Sequence, residues 1–97
     1  MHATASINGT TIADTDSYEV VDGNIYFPPA SLTKTAFTTT STHTTCPYKG
    51  KASYYTIEVD GKTLKDSAWY YPEPKSGYEK IKGFVAFYGS KVDVVSE

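Results

Sequence analysis

Four dipeptides constrain the fold of this chain more than anything else in it: Asn8-Gly9, Asp22-Gly23, Asp60-Gly61 and Gly89-Ser90. The first three suit type I′ turns, whose central residues need positive φ, and the fourth suits type II′. Each stands between apolar or β-branched runs and so reads as a hairpin connection. The expected hairpins join residues 5–7 to 10–13, 18–21 to 24–27, and 52–59 to 62–65 with continuation toward 71. A last hairpin joins 84–88 to 91–95. Residues 35–42, rich in threonine, form a further strand candidate. No stretch has helical periodicity, so helix is confined to single turns at 29–32, which starts with prolines, and at 76–82. The expectation is one mainly β domain over residues 1–97: a small set of antiparallel sheets in a sandwich or open barrel, with one or two short helical turns.

Charge narrows the partners. All nine cations are lysines, and the net charge is −2. Such a chain has no general electrostatic pull toward nucleic acid or an anionic membrane. It also lacks the arginine fork that clamps phosphate or carboxylate from two sides. One cysteine excludes an intrachain disulfide. No apolar run approaches the roughly 20 residues of a membrane helix. Met1-His2-Ala3-Thr4-Ala5-Ser6 lacks the apolar stretch of a secretory signal. A cytoplasmic protein is expected, monomer or homodimer, with no cofactor and a small-molecule ligand as partner. Asn8-Gly9-Thr10 matches a glycosylation sequon but reads as a turn.

Side chains two apart on a strand share a face. Tyr55, Ile57 and Val59 therefore share one, with Tyr54 and Glu58 on the other. Trp69 goes with Tyr71, and Ala68 with Tyr70; Val85 and Phe87 oppose Phe84, Ala86 and Tyr88. The later strands thus carry large side chains on both faces. Either both faces are covered, or one lines an aromatic cleft. Ile57, Phe87 and Val94 are the expected core residues.

Cys46-Pro47-Tyr48-Lys49-Gly50 concentrates the chemistry. Proline restricts Cys46 to extended backbone, and glycine permits a turn or a close approach. A nearby lysine favours the nucleophilic thiolate. From spacing alone the better reading is Cys46 as a small buried hydrophobe and Lys49 as a solvated cation. His43 and Cys46 form a His-x-x-Cys pair, short of the three or four ligands a metal needs, so no metal site is expected. Asp14-Thr15-Asp16 sets two carboxylates on one strand face, as two-metal phosphoryl chemistry wants, but reads better as a turn. Ala68-Trp69-Tyr70-Tyr71-Pro72-Glu73-Pro74 is a dense aromatic strand end, suited to core packing or to an aromatic cage.

These segments, with Ala52, Tyr54-Tyr55, Val85-Ala86-Phe87-Tyr88 and Val92-Asp93-Val94, resemble domain of unknown function 427 over nearly the whole chain. Ile12-Ala13-Asp14-Thr15 fits the opening of that family. The resemblance implies a small β-rich domain similar in layout to the β-tent folds. It implies a shared pocket at Cys46, Tyr48, Lys49, Tyr55, Trp69, Tyr71 and Tyr88. The four-cysteine zinc site of many β-tent relatives cannot be built from one cysteine. The family also carries the label nucleotidyltransferase-like.

Three functional readings follow: a binding module or small enzyme with an aromatic pocket for a small molecule, a thiol-dependent enzyme using Cys46 and Lys49, and a nucleotidyltransferase. A hairpin about residues 60–61 sets Ala52 opposite Trp69, give or take a bulge at 65–67. The Cys46 turn then lies beside Tyr70-Tyr71-Pro72.

Overall fold

A computed structural model describes residues 1–97. Nine strands form three antiparallel sheets, none closed into a barrel. Strands β1 (Ala3–Ile7) and β2 (Thr10–Thr15) form the first hairpin. Strands β3 (Glu19–Val21) and β4 (Asn24–Tyr26) form the second. Strands β5 (Phe37–Cys46), β6 (Gly50–Val59), β7 (Lys62–Tyr70) and β8 (Val85–Phe87) lie in that order in a four-stranded sheet. Strand β9 (Asp93–Ser96) adds to β1. No helix is long and apolar enough to cross a membrane.

The three Asx-Gly turns form as expected, with positive φ at Asn8, Asp22 and Asp60 and at the glycine after each. Helix is limited to single 3₁₀ turns at Pro29–Ser31 and Glu79–Ile81, plus an unforeseen one at Lys34–Ala36.

The last hairpin does not form. Strand β8 pairs with β7 on one edge, and on the other its Val85 exchanges two 2.8 Å backbone bonds with Phe27. Both edges are taken, so the chain leaves the sheet and β9 pairs with β1 instead. Gly89 keeps negative φ, and the Tyr88 carbonyl accepts the N–H groups of Lys91 and Val92. Strand β5 also runs further than expected, so Cys46 ends a strand and sits opposite Gly50. Asp14 lies within β2, beyond the expected end of that strand.

Two bulges shape the four-stranded sheet. In β7, Lys65, Asp66 and Ser67 stand against Thr56 alone, because Tyr55 pairs with Ala68 and Ile57 with Leu64. In β5, Thr40, Ser41 and Thr42 stand against Tyr54, because Thr39 pairs with Tyr55 and His43 with Ser53. The β7 bulge lies where the sequence suggests one, but it carries two extra residues. Trp69 consequently faces Tyr54 rather than Ala52.

The sheet is apolar on both faces. Ile57, Ala68, Val85 and Phe87 point one way and join Ala3, Ala5, Ile7, Ile12, Ala13 and Val92 from the three-stranded sheet in the main core. Val94 only flanks this core, half-buried on its edge strand, while Val92 is buried. Ala52, Tyr54, Tyr71 and Ala86 point the other way and pack with Tyr26 and Ile81. The consecutive Tyr26 and Phe27 enter opposite clusters, so the β3–β4 hairpin clamps the sheet edge from both sides.

Candidate functional site

The second face carries the chemistry. Its frame is the Cys46–Gly50 turn, which is clipped to the segment leaving β7. Lys75 donates its backbone N–H to the Lys49 carbonyl at 2.8 Å and its ammonium to the Pro47 carbonyl at 3.1 Å. Gly50 has φ of 113°, and a Cβ there would stand 3.2 Å from the Glu73 carbonyl oxygen. Only glycine tolerates both demands. The turn therefore lies beside the Tyr70-Tyr71-Pro72 end, as the hairpin geometry implies.

Lys49 is 9% exposed, which is unusual for a residue normally found in water. Its ammonium pairs with Asp22, at the tip of the β3–β4 hairpin, and lies 5.4 Å from the centre of the Tyr78 ring. The hydrogen bond to Asp22 outweighs burial and raises the Lys49 pKa, so it stays a cation at neutral pH. The Asp22 carboxylate itself is 65% exposed.

The same face carries a chain of further rings. Trp69 donates its indole N–H to the Tyr26 hydroxyl at 3.3 Å and meets that ring edge-on. Tyr88 lies over Trp69 with ring centres 4.7 Å apart. Burial, helped by a hydrogen bond with Tyr54, pushes the Tyr88 phenol up to about 12. Burial also raises Tyr26 and Tyr71. Tyr54 in turn shares a 2.8 Å bond with the Thr44 hydroxyl.

Cys46 packs against the same cluster, half-buried. Backbone N–H groups of Lys49 and Tyr48 hydrogen-bond its sulfur and lower the thiol pKa. The turn, more than the lysine charge, is what stabilises a thiolate there.

The two bulges meet at the far end of this face. The Thr42 hydroxyl donates to Asp66 Oδ2 at 2.8 Å and holds that carboxyl below its usual range. Asp66 sits at φ 49°, and its Oδ1 is the one buried side-chain oxygen or nitrogen without a partner. Bulges are frequent beside functional sites because they re-aim side chains.

The fold brings together Cys46, Lys49, Trp69, Tyr71 and Tyr88. It does not bring in Tyr48, which is 72% exposed at the turn tip. Nor does it bring in Tyr55, which lies on the opposite face with Phe37 and Tyr70. A strict alternation of faces from Tyr54 puts it there. Three clefts open on the surface, and none is lined by Cys46, Lys49 or Trp69. The aromatic face is therefore a packed wall rather than an open pocket. His43 turns to Ser53, with Nδ1 3.2 Å from the hydroxyl, and not to Cys46. Asp14 and Asp16 are both engaged by the His2 ring, which raises the His2 pKa chiefly through the bond to Asp16.

Sequence reasoning missed Asp22, Tyr26, Tyr78 and Asp66. Asp22 and Asp66 were visible only as a turn residue and a bulge position. Tyr26 and Tyr78 come from segments far along the chain from Lys49, and no local spacing marks them.

Such a site and fold define a small β-sheet domain with rings on both faces of its largest sheet and a buried lysine on one of them. The chain belongs to the family described as Domain of unknown function (DUF427), whose model matches residues 1–97. No curated protein matches it.

Proposed function

We infer that the domain is a binding module for a small planar anion, received on the aromatic face of the four-stranded sheet. The ligand enters from the hairpin-tip side of the packed wall, where its charge replaces the exposed Asp22 carboxylate on Lys49 and its ring lies against Tyr78. One observation carries this reading: Lys49 is buried with its ammonium over the Tyr78 ring, yet its only ion-pair partner is an exposed carboxylate on a hairpin tip. An exposed carboxylate is readily exchanged for another anion, while the buried ammonium retains its strength as a binding group. The aromatic walls supply area and stacking.

Phenyl phosphate is the probe. Trp69 is the single tryptophan, so its emission reports on this face alone. Phenyl phosphate should change that emission saturably and slow alkylation of Cys46 by iodoacetamide, with both effects lost in Lys49→Met. An unchanged response in Lys49→Met would refute the reading.

A second reading, Cys46 as a nucleophile, is favoured by the two backbone N–H groups that bond its sulfur. It expects iodoacetamide to react with Cys46 well below the pH at which an ordinary thiol, with pKa about 8.5, becomes reactive. The nucleotidyltransferase reading finds its carboxylates, Asp14 and Asp16, already bonded to His2.

A further inference from the structure

Tyr55 was expected in a pocket with Cys46, and it lines a cleft on the opposite face that Cys46 does not reach. A cleft of about 340 Å³ opens between the segment 29–34 and the rings of Phe37 and Tyr55. Its walls are Pro29, Leu32, Phe37 and Tyr55, and Lys34 stands in its lining as the single charge. This volume falls in the range of ligand pockets, about 300–1,000 Å³.

The cleft is held open by its surroundings. Phe37 meets Tyr55 edge-on with ring centres 5.5 Å apart and leans on Phe87 at 6.0 Å. Tyr55 is stacked on Tyr70 at 4.5 Å. The opposite wall is fastened to β2, because Thr33 donates its N–H to the Ile12 carbonyl at 2.8 Å and Leu32 bridges Ala13. The 3₁₀ turns on either side of Leu32 close their own backbone bonds, Leu32 to Pro29 and Ala36 to Thr33. Neither wall needs to be ordered when a guest enters, which removes one of the usual costs of binding.

Lys34 sets the chemistry. The Lys34 ammonium, like those of Lys51, Lys62, Lys65 and Lys82, has no protein acceptor, and Lys34 is the one of these five that stands in the lining of this aromatic cleft. No carboxylate lines the cleft beside it. We propose that this cleft is a second binding site, separate from the Trp69 face, for a small aromatic monocarboxylate. The ligand ring lies against Phe37, Tyr55 and Pro29, and its carboxylate meets Lys34. Edge-to-face and stacked rings already in the wall favour another aromatic ring over an aliphatic chain.

Titration of the ¹⁵N-labelled chain with 2-naphthoate, and separately with the neutral 2-naphthalenemethanol, tests this. Both should shift the amides of Leu32, Lys34, Phe37 and Tyr55 saturably. The carboxylate should bind about two- to fivefold more tightly at low salt, the range of an exposed ion pair. Lys34→Ala should erase that preference and leave the affinity of the alcohol unchanged. Tyr55→Phe should keep binding, and Tyr55→Leu should weaken both probes. Lys34→Ala should also leave the phenyl phosphate response of Trp69 intact, so this site and the Lys49 face fail independently. The proposal is overturned if neither probe shifts those amides at millimolar concentration, if the shifts centre on Trp69, or if Lys34→Ala keeps the preference for naphthoate.

Discussion

The four-stranded sheet has two buried faces built from different materials. One presents Ile57, Ala68, Val85 and Phe87 to a second sheet and closes over them with alanine and aliphatic side chains and with the apolar rings of Phe27 and Phe37. The other presents Tyr54, Trp69, Tyr71 and Tyr88, and closes over them with a hairpin, a 3₁₀ turn and the cation of Lys49. The first face gains its stability from apolar area removed from water and from close packing. The second buries hydroxyls, an indole N–H and a charge, each needing a partner to avoid a desolvation cost. A fold needs one core. A buried charge and a layer of hydroxyl-bearing rings on the other side add little stability that apolar residues would not supply, and this contrast supports the binding role proposed for the second face.

The contrast breaks first under truncation. Phe87→Ala, on the face that meets the second sheet, should cost roughly 3–5 kcal/mol. Against a total stability of about 5–15 kcal/mol this should nearly unfold the domain. Tyr88→Ala, one residue on but pointing the other way and 37% exposed, should cost far less. Denaturant melts of the two variants make the comparison, and equal losses would mean that both faces serve as core.

Next comes the ion pair. Asp22→Asn leaves a buried ammonium without its carboxylate and should cost about 1–3 kcal/mol, the penalty of an unmet buried polar group. The same measurement on Asp14→Asn, whose partner His2 lies in the open, should show a smaller loss.

These faces could be read from the sequence because strand alternation is a local rule. Trp69 with Tyr71, Ala68 with Tyr70, and Val85 with Phe87 all fall as alternation places them. The Asx-Gly turns were equally legible, since positive φ at two successive positions admits few residue types. What failed was pairing between distant segments. Gly89-Ser90 has the composition of a hairpin turn, yet Phe27 had already taken the free edge of β8, 58 residues from the Val85 contact in sequence terms being no obstacle once the β3–β4 hairpin docks. The candidate site divides in the same way. The Cys46 turn and the Trp69 strand were found together because one hairpin joins them. Asp22 and Tyr26 complete the site from a separate hairpin, so no spacing within 44–71 reveals them.

A smaller effect should appear at high pH. Tyr26, Tyr71 and Tyr88 on the second face have phenol pKa values raised by burial, Tyr88 to about 12. Unfolded tyrosines ionise near 10, so between about 10 and 12 the unfolded chain releases protons that the folded chain keeps. Stability is fully present below about pH 10 and should fall as pH rises through that window. Phenolate absorbance should show late-titrating tyrosines that join the early ones on unfolding. Tyr55, raised by burial on the first face, contributes to the same signal, and Tyr55→Phe separates its share.

The most direct test of the second face as a functional surface is the melting temperature of Lys49→Met with and without phenyl phosphate. Methionine fills the same space without a charge, and the exposed Asp22 can return to water. If Lys49 is kept for a ligand, Lys49→Met melts at or above the wild-type temperature. Phenyl phosphate then raises the wild-type value by mass action and leaves the variant where it was. A variant that melts well below wild type, or one that phenyl phosphate stabilises equally, would contradict the account.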